Sequence, residues 1–247
     1  MEMLRRILRR ILGLYRRSRL LAFIVPEARW HWRMWVDPQK SWDQHHLKRA
    51  VNYESLVEQQ FRSCVQAAVV KQIGGESWGD ALEIGCAEGV FTAYLAKHCR
   101  SVSAYDISTV AQTWAAERCA QYPNVRVGSL DIGRDEIPGQ YDLVFVMDVL
   151  YYINGRRRMA EVAAKLAKAV RGGGVLVFTE CRLPKSFRGR FWRLCLPKGA
   201  DGWADLLEAI PGLHPIYKEV YPPEGQRIPG YWDKLIVLFK KNLAPKE

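Results

Sequence analysis

The 247-residue sequence has no internal repeat and no low-complexity tract, which excludes a repeat architecture. Near its amino terminus, arginines interrupt every apolar run before it approaches ~18 residues, which excludes a membrane-spanning helix there. Leu20–Val25 is too short for the core of a signal peptide and lacks a small-residue cleavage site, so no export signal is expected. The cysteines, Cys64, Cys86, Cys99, Cys119, Cys181 and Cys195, form no C-x-x-C pair and no zinc-type spacing. Reduced thiols in a cytoplasmic protein are the simplest account. His45 and His46, read as neighbours at a helix start, have no third partner at a ligand spacing, and no metal site is expected.

Positive charge is abundant and unevenly placed. The formal net charge is +11, and residues 1–35 hold nine arginines against Glu2 and Glu27, so the remainder is only mildly basic. Charge gathered in a terminal arm argues against a nucleic-acid partner. In that arm Leu4, Ile7, Leu8, Ile11, Leu12 and Tyr15 recur with helical spacing, and Arg5, Arg6, Arg9, Arg10, Arg16 and Arg17 fill the other faces. Such a helix suits an anionic membrane surface, with residues 1–25 in contact and the protein peripheral at the inner face. The alternative is a helix packed on the domain or on a second copy. Ala28–Val36 is dense in tryptophan, either at the same interface or flooring a sugar- or aromatic-binding cleft. We divide the chain into an arm, residues 1–40, and a domain, residues 41–247.

Within the domain, W-G-D-A-L-E-I-G-C-A-E-G-V-F at Trp78–Phe91 reads as a strand from Asp80 to Ile84, a glycine turn, and a helix from Val90 to Lys97. Gly85 and Gly89 allow backbone angles closed to other residues and let a ligand approach the main chain. The helix start presents free N–H groups and a positive dipole end, so the ligand should carry negative charge or acceptor atoms. A dinucleotide site would want G-x-G-x-x-G, but Val90 stands where its last glycine belongs. Three further strands are expected at Ser101–Tyr105, Val125–Ser129 and Tyr141–Met147, the last an apolar run fit for a fully buried parallel strand. They end beside Asp106, Leu130–Asp131 and Asp148–Val149, and ligands of open α/β sheets bind at such carboxyl ends.

The acidic-x-Gly-x-Gly-x-Gly pattern, with Glu83 as its acid and Ala87 in the middle glycine's place, resembles motif I of the class I S-adenosyl-L-methionine-dependent methyltransferases. The resemblance implies an α/β, Rossmann-like fold with a mostly parallel seven-stranded sheet, helices on both faces and an amino-terminal helical extension. It implies S-adenosyl-L-methionine held by Glu83, Gly85, Cys86, Ala87, Gly89, Asp106, Ile107, Leu130, Asp131, Asp148 and Val149. Asp106 lies 21 residues after Gly85, where a carboxylate accepts hydrogen bonds from ribose hydroxyls. By the resemblance Asp131 accepts from the adenine amino group, and Cys86 contributes backbone. Within the class, N-Y-E at Asn52–Glu54, A-L-E-I-G-C-A-E-G-V-F-T at Ala81–Thr92, L-A-K-H-C at Leu95–Cys99, V-L-Y-Y at Val149–Tyr152 and G-G-V-L-V-F at Gly173–Phe178 resemble the NodS nodulation methyltransferases, which N-methylate an amino sugar of a chitooligosaccharide.

A segment before motif I commonly folds over the cofactor in this class, which makes Trp42, His45, His46 and Tyr53 acceptor-side candidates, with Tyr152. Asp148, Tyr151 and Tyr53 are candidates to take or orient the acceptor's proton. Helices are expected at Leu56–Gln72, Gly155–Val170 and Asp201–Ile210, a turn at Gly172–Gly174, and strands at Val175–Thr179, Leu213–Tyr221 and Trp232–Lys240. Cys181–Lys198, basic and aromatic with no acid, should border the active face. The sequence therefore reads as a methyltransferase acting on a nitrogen or oxygen of a saccharide or other small-molecule acceptor. An RNA methyltransferase lacks its catalytic tetrapeptide here, D-V-L-Y standing in place of N-P-P-Y or D-P-P-Y; a non-enzymatic, membrane-associated module that binds S-adenosyl-L-methionine is the third reading.

Overall fold

The computed structural model describes residues 33, 36–48, 52–74, 77–153, 155–182, 199–226, 228–229 and 231–243. The amphipathic arm, most of the tryptophan-dense stretch and residues 183–198 of the basic segment lie outside the described residues.

Two helices precede the sheet. Helix α1, Pro38–Leu47, starts at an Asp37 cap whose carboxylate accepts the Lys40 N–H at 3.1 Å, with Pro38 in the first turn. Helix α2, Leu56–Ile73, is capped by Ser55. The order continues β1 (Trp78–Ile84), α3 (Val90–His98), β2 (Cys99–Asp106), α4 (Thr109–Cys119), β3 (Val125–Ser129) and β4 (Tyr141–Met147). A single 3₁₀ turn, Leu150–Tyr152, then leads to α5 (Arg156–Ala169), β5 (Val170–Cys181), α6 (Gly199–Glu208), β6 (Leu213–Tyr221) and β7 (Lys234–Lys241). The seven strands align as β3-β2-β1-β4-β5-β7-β6. Pairing is parallel from β3 to β5, and β7 runs antiparallel to both β5 and β6.

Alternation along the strands builds a core on each face. Leu82, Ile84, Val144, Val146, Leu176 and Phe178 pack with Met159, Val162 and Leu166 of α5 and Trp203 and Leu207 of α6. Ala81, Leu143, Phe145, Val175 and Val177 pack with Phe61, Val65 and Val69 of α2 and Phe91 and Leu95 of α3. Neighbouring positions of one strand thus serve opposite layers, which is why β4 reads as an unbroken apolar run. Strand order reverses at β1, which lies between β2 and β4, and the crevice there opens at the strands' carboxyl ends.

Several local expectations differ from the structure. Strands β1 and β2 begin two residues earlier than their apolar content suggests, because Asp80 is held by Arg100, Ser101 and Arg171 within the sheet's lower edge. The glycines at 172–174 lie inside β5 rather than in a separate turn. There the ladder slips, Tyr141 facing Val170 and Leu143 facing Val175, and a Cβ on Gly174 would sit 2.8 Å from the Asp142 carbonyl. His45 and His46 occupy the last turn of α1, not a helix start. Among the described residues no helix is long and apolar enough to cross a membrane.

Leu82, fully buried at the centre of β1, touches the layer shared with α5 and α6. Leu82→Ala is expected to destabilise the fold by about 2–5 kcal/mol, measured by urea denaturation.

Candidate functional site

The turn after β1 is an arch of left-handed residues: φ is +79° at Gly85, +47° at Ala87 and +73° at Gly89. Ala87 carries a side chain in a conformation that costs L-residues about 1–2 kcal/mol, and its N–H donates to Asp106 Oδ2 at 2.9 Å. The Gly85 and Cys86 N–H groups both donate to the Tyr105 carbonyl, at 2.7 and 3.1 Å. The other Asp106 oxygen accepts the Ser108 N–H at 2.9 Å, at the cap of α4. Burial raises the Asp106 carboxyl to about 6, against the lowering effect of these backbone donors, so it is ionised at neutral pH.

Glu83 faces the opposite wall from its strand neighbours and accepts the Thr92 hydroxyl at 2.6 Å. Fully enclosed, it is pushed up to about 8 by burial, with the Asp106 charge adding to the rise.

Helix α1 lies across the crevice because Asp43 binds the start of α4. Its carboxylate accepts from Ser108 Oγ at 2.7 Å, from Thr109 Oγ1 and from the Val110 N–H. This brings Trp42, His45 and His46 over the opening. The Trp42 ring lies 5.0 Å from His45 and 6.4 Å from Tyr151, and His46 stacks on Tyr53 at 6.2 Å. Burial lowers the pKa of both histidines. Burial and then Asp106 push the Tyr53 phenol well above its ordinary value, so Tyr53 keeps its proton.

These elements enclose a cavity of about 440 Å³. Its walls include Glu83, Gly85, Cys86, Ala87, Asp106, Ile107, Leu130, Asp131, Asp148 and Val149, together with Trp42, His45, His46, Tyr53 and Tyr151. Gly89 caps α3 instead, pressed so close to Ala115 that a Cβ would lie 2.9 Å from its Cα. The Tyr152 side chain lies outside the described residues. Asp131 bonds the Gly133 N–H at 2.9 Å and reaches Arg134 at 3.5 Å.

Sequence reasoning missed the wall opposite the turn. Glu58, Phe61 and Arg62 come from α2, Trp203 from α6, and Tyr231, Trp232 and Lys234 from the approach to β7. Lys234 Nζ bonds Asp148 Oδ2 at 2.6 Å and Glu58 at 3.3 Å. Asp148, Glu180 and Cys181 bring ligating atoms within 4.8 Å of one another, and the Lys234 ammonium is the cation beside them. Arg62, half-buried, makes no hydrogen bond or close ion pair among the described residues; burial lowers its pKa and Glu58 opposes this. The signal for Lys234 was faint: a lone lysine heading the apolar run L-I-V-L-F.

A seven-stranded sheet of this order, with a glycine arch after β1 and a carboxylate ending β2, defines the Rossmann-like fold of the class I methyltransferases. Residues 51–188, more than half of the chain, match the family described as Nodulation protein S (NodS), and the chain belongs to that family. The nodulation protein S of Azorhizobium caulinodans is 29% identical over 106 residues, 43% of this chain and 51% of that protein. This chain therefore spans about half the length of that curated relative. An Erwinia tasmaniensis ubiquinone biosynthesis O-methyltransferase is 29% identical over 148 residues, 58% of this chain and 56% of that protein. The crystal structure of the N-methyltransferase NodS from Bradyrhizobium japonicum WM9 in complex with S-adenosyl-L-homocysteine aligns with a TM-score of 0.67 at 24% identity, covering 83% of this chain and 98% of that one.

Glu83 supplies a pH test of the site's burial. Its carboxyl is raised in the fold from an ordinary 4.5 to about 8, so the folded state binds the proton more tightly. The stability it contributes is fully present below about 4.5 and is lost as pH rises through about 8, by up to ~1.4 kcal/mol per unit. Glu83→Gln is expected to flatten that decline in urea denaturation between pH 5 and 8.

Proposed function

We propose that the protein is an S-adenosyl-L-methionine-dependent methyltransferase acting on a nitrogen of a small acceptor, with an amino sugar as the acceptor class. The observation that carries the reading is the Asp106 carboxylate, fixed by the Ala87 and Ser108 N–H groups at the edge of the cavity. The donor set fits the cofactor. Asp106 retains acceptor sites for ribose hydroxyls, Ile107, Leu130 and Val149 offer apolar surface to an adenine, and Asp131 offers an acceptor to its amino group. Arg62 supplies a guanidinium, with no close ion pair of its own among the described residues, for the amino acid's carboxylate.

When bound, S-adenosyl-L-methionine would supply an already electrophilic methyl group. The residues around it then need only position the acceptor and exclude water. Trp42, His46, Tyr53 and Tyr151 form an aromatic wall suited to the face of a sugar ring. Asp148 orients the acceptor's N–H, and Tyr53, which keeps its proton, acts as a donor rather than a base. The NodS family membership supports nitrogen as the acceptor atom. Support for a peripheral position at an anionic membrane comes from the arginine pattern of residues 1–25 alone.

Two calorimetric experiments test the reading. Asp106→Ala is expected to weaken S-adenosylhomocysteine binding about 10- to 100-fold. Affinity in the unmutated protein should fall as pH drops through about 6, where the carboxylate is lost. Absence of binding at pH 7.5 would refute the cofactor assignment. Arg62→Ala is expected to weaken S-adenosylhomocysteine about tenfold while leaving methylthioadenosine, which has no carboxylate, within about twofold. An equal loss for both ligands would remove Arg62 from that role.

A further inference from the structure

We propose that Lys234 is a positioning residue: it grips one oxygen of Asp148 and so fixes that carboxylate in the cavity wall against which the acceptor's N–H is oriented. The inference rests on the methyltransferase reading above.

Asp148 leaves β4 with φ of +54°, a left-handed conformation unusual for an aspartate. Its N–H donates to the Thr179 carbonyl at 2.9 Å. Oδ2 accepts from Lys234 Nζ at 2.6 Å, whereas Oδ1 is buried with no hydrogen-bond partner among the described residues. Asp148 also lines the cavity. With no donor on Oδ1 among the described residues, the carboxylate's orientation rests on the Lys234 bond to Oδ2.

Lys234 is itself fixed from several sides, its side chain only 7% exposed. Glu58 of α2 reaches it at 3.3 Å, and its ammonium lies 4.1 Å from the Phe61 ring centre and 5.1 Å from that of Tyr231. Burial lowers its pKa, but Asp148 and Glu58 more than reverse the effect, so it is a cation and neither a base nor a nucleophile. Glu180, fully buried nearby, has both oxygens occupied by the Cys181 and Leu150 N–H groups at 2.9 Å. It is raised to about 8 by burial and then by the Asp148 charge. Without the ammonium, Asp148 would face Glu58 and Glu180 with nothing to hold its rotamer.

The test is a crystal structure of Lys234→Met soaked with S-adenosylhomocysteine, paired with turnover of partly deacetylated chitotetraose by Lys234→Met, Asp148→Asn and the double variant. Asp148 is expected to leave its left-handed conformation or turn its carboxylate away from its place in the cavity wall. kcat should fall about 100-fold at unchanged S-adenosylhomocysteine affinity. The double variant should be no slower than Asp148→Asn, because Lys234 acts through that carboxylate. Asp148 unmoved with kcat within about threefold of the unmutated protein would overturn the proposal, as would single losses that multiply in the double variant. Should Lys234→Met fail to fold, the charge-balanced double variant against Asp148→Asn carries the decision: equal kcat upholds the role, and a further tenfold fall overturns it. A displaced Asp148 in a protein whose unmutated form methylates no amino sugar would uphold the positioning role and sink the acceptor reading instead.

Discussion

The Asp106 carboxylate is the constraint on which the cavity depends. It ends β2, accepts the Ala87 N–H of the arch after β1, and accepts the Ser108 N–H at the start of α4. One side chain therefore sets the distance between two strand ends and a helix start, and two N–H groups left over by the arch and the helix find a charged partner. The left-handed backbone at Ala87 persists because this bond and the Gly85 and Cys86 bonds to Tyr105 determine the arch from both ends. Ser108 carries the constraint outward: its hydroxyl binds Asp43 and so docks α1. The roof over the cavity is thus tied to its floor through two consecutive carboxylate contacts.

The far wall obeys a different electrostatic logic. Around Lys234 the protein gathers Asp148, Glu58 and two aromatic faces, so that a buried cation is paired on every side. Removing one partner of such a cluster leaves an uncompensated buried charge, and the cluster is therefore a source of geometric definition more than of net stability. Its members come from α2, the end of β4 and the head of β7, so segments as far as 176 residues apart meet at one ammonium. The carboxyls around the cavity also differ in charge. Glu83 and Glu180, both raised to about 8, are protonated at neutral pH, while Asp106 is ionised.

Much of this was legible in the sequence. The apolar run at Tyr141–Met147 specified a strand buried on both faces, and the Gly85–Gly89 spacing specified an arch followed by a helix. The positions of Asp106, Asp131 and Asp148 at strand ends placed them on one edge, because parallel strands joined by helices must all end there. These features are local or periodic: backbone angles, alternation and strand direction follow from neighbouring residues. The glycines at 172–174 were misread as a turn because their effect depends on the approach of the Asp142 and Tyr141 carbonyls from β4, which no local pattern announces.

The far wall belonged to the tertiary structure. Lys234 meets Asp148 from 86 residues away and Glu58 from 176, and Asp43 meets Ser108 from 65. In sequence each is one charged residue among many. They become a site only when the sheet reverses its order at β1 and folds the flanking segments onto that crevice. The sequence by itself determined the strands, the arch and the carboxylates at the strand ends, since those answer to spacing. Which charges face one another across the cavity was decided by packing, because a buried charge finds its partner in space and leaves no period in the chain.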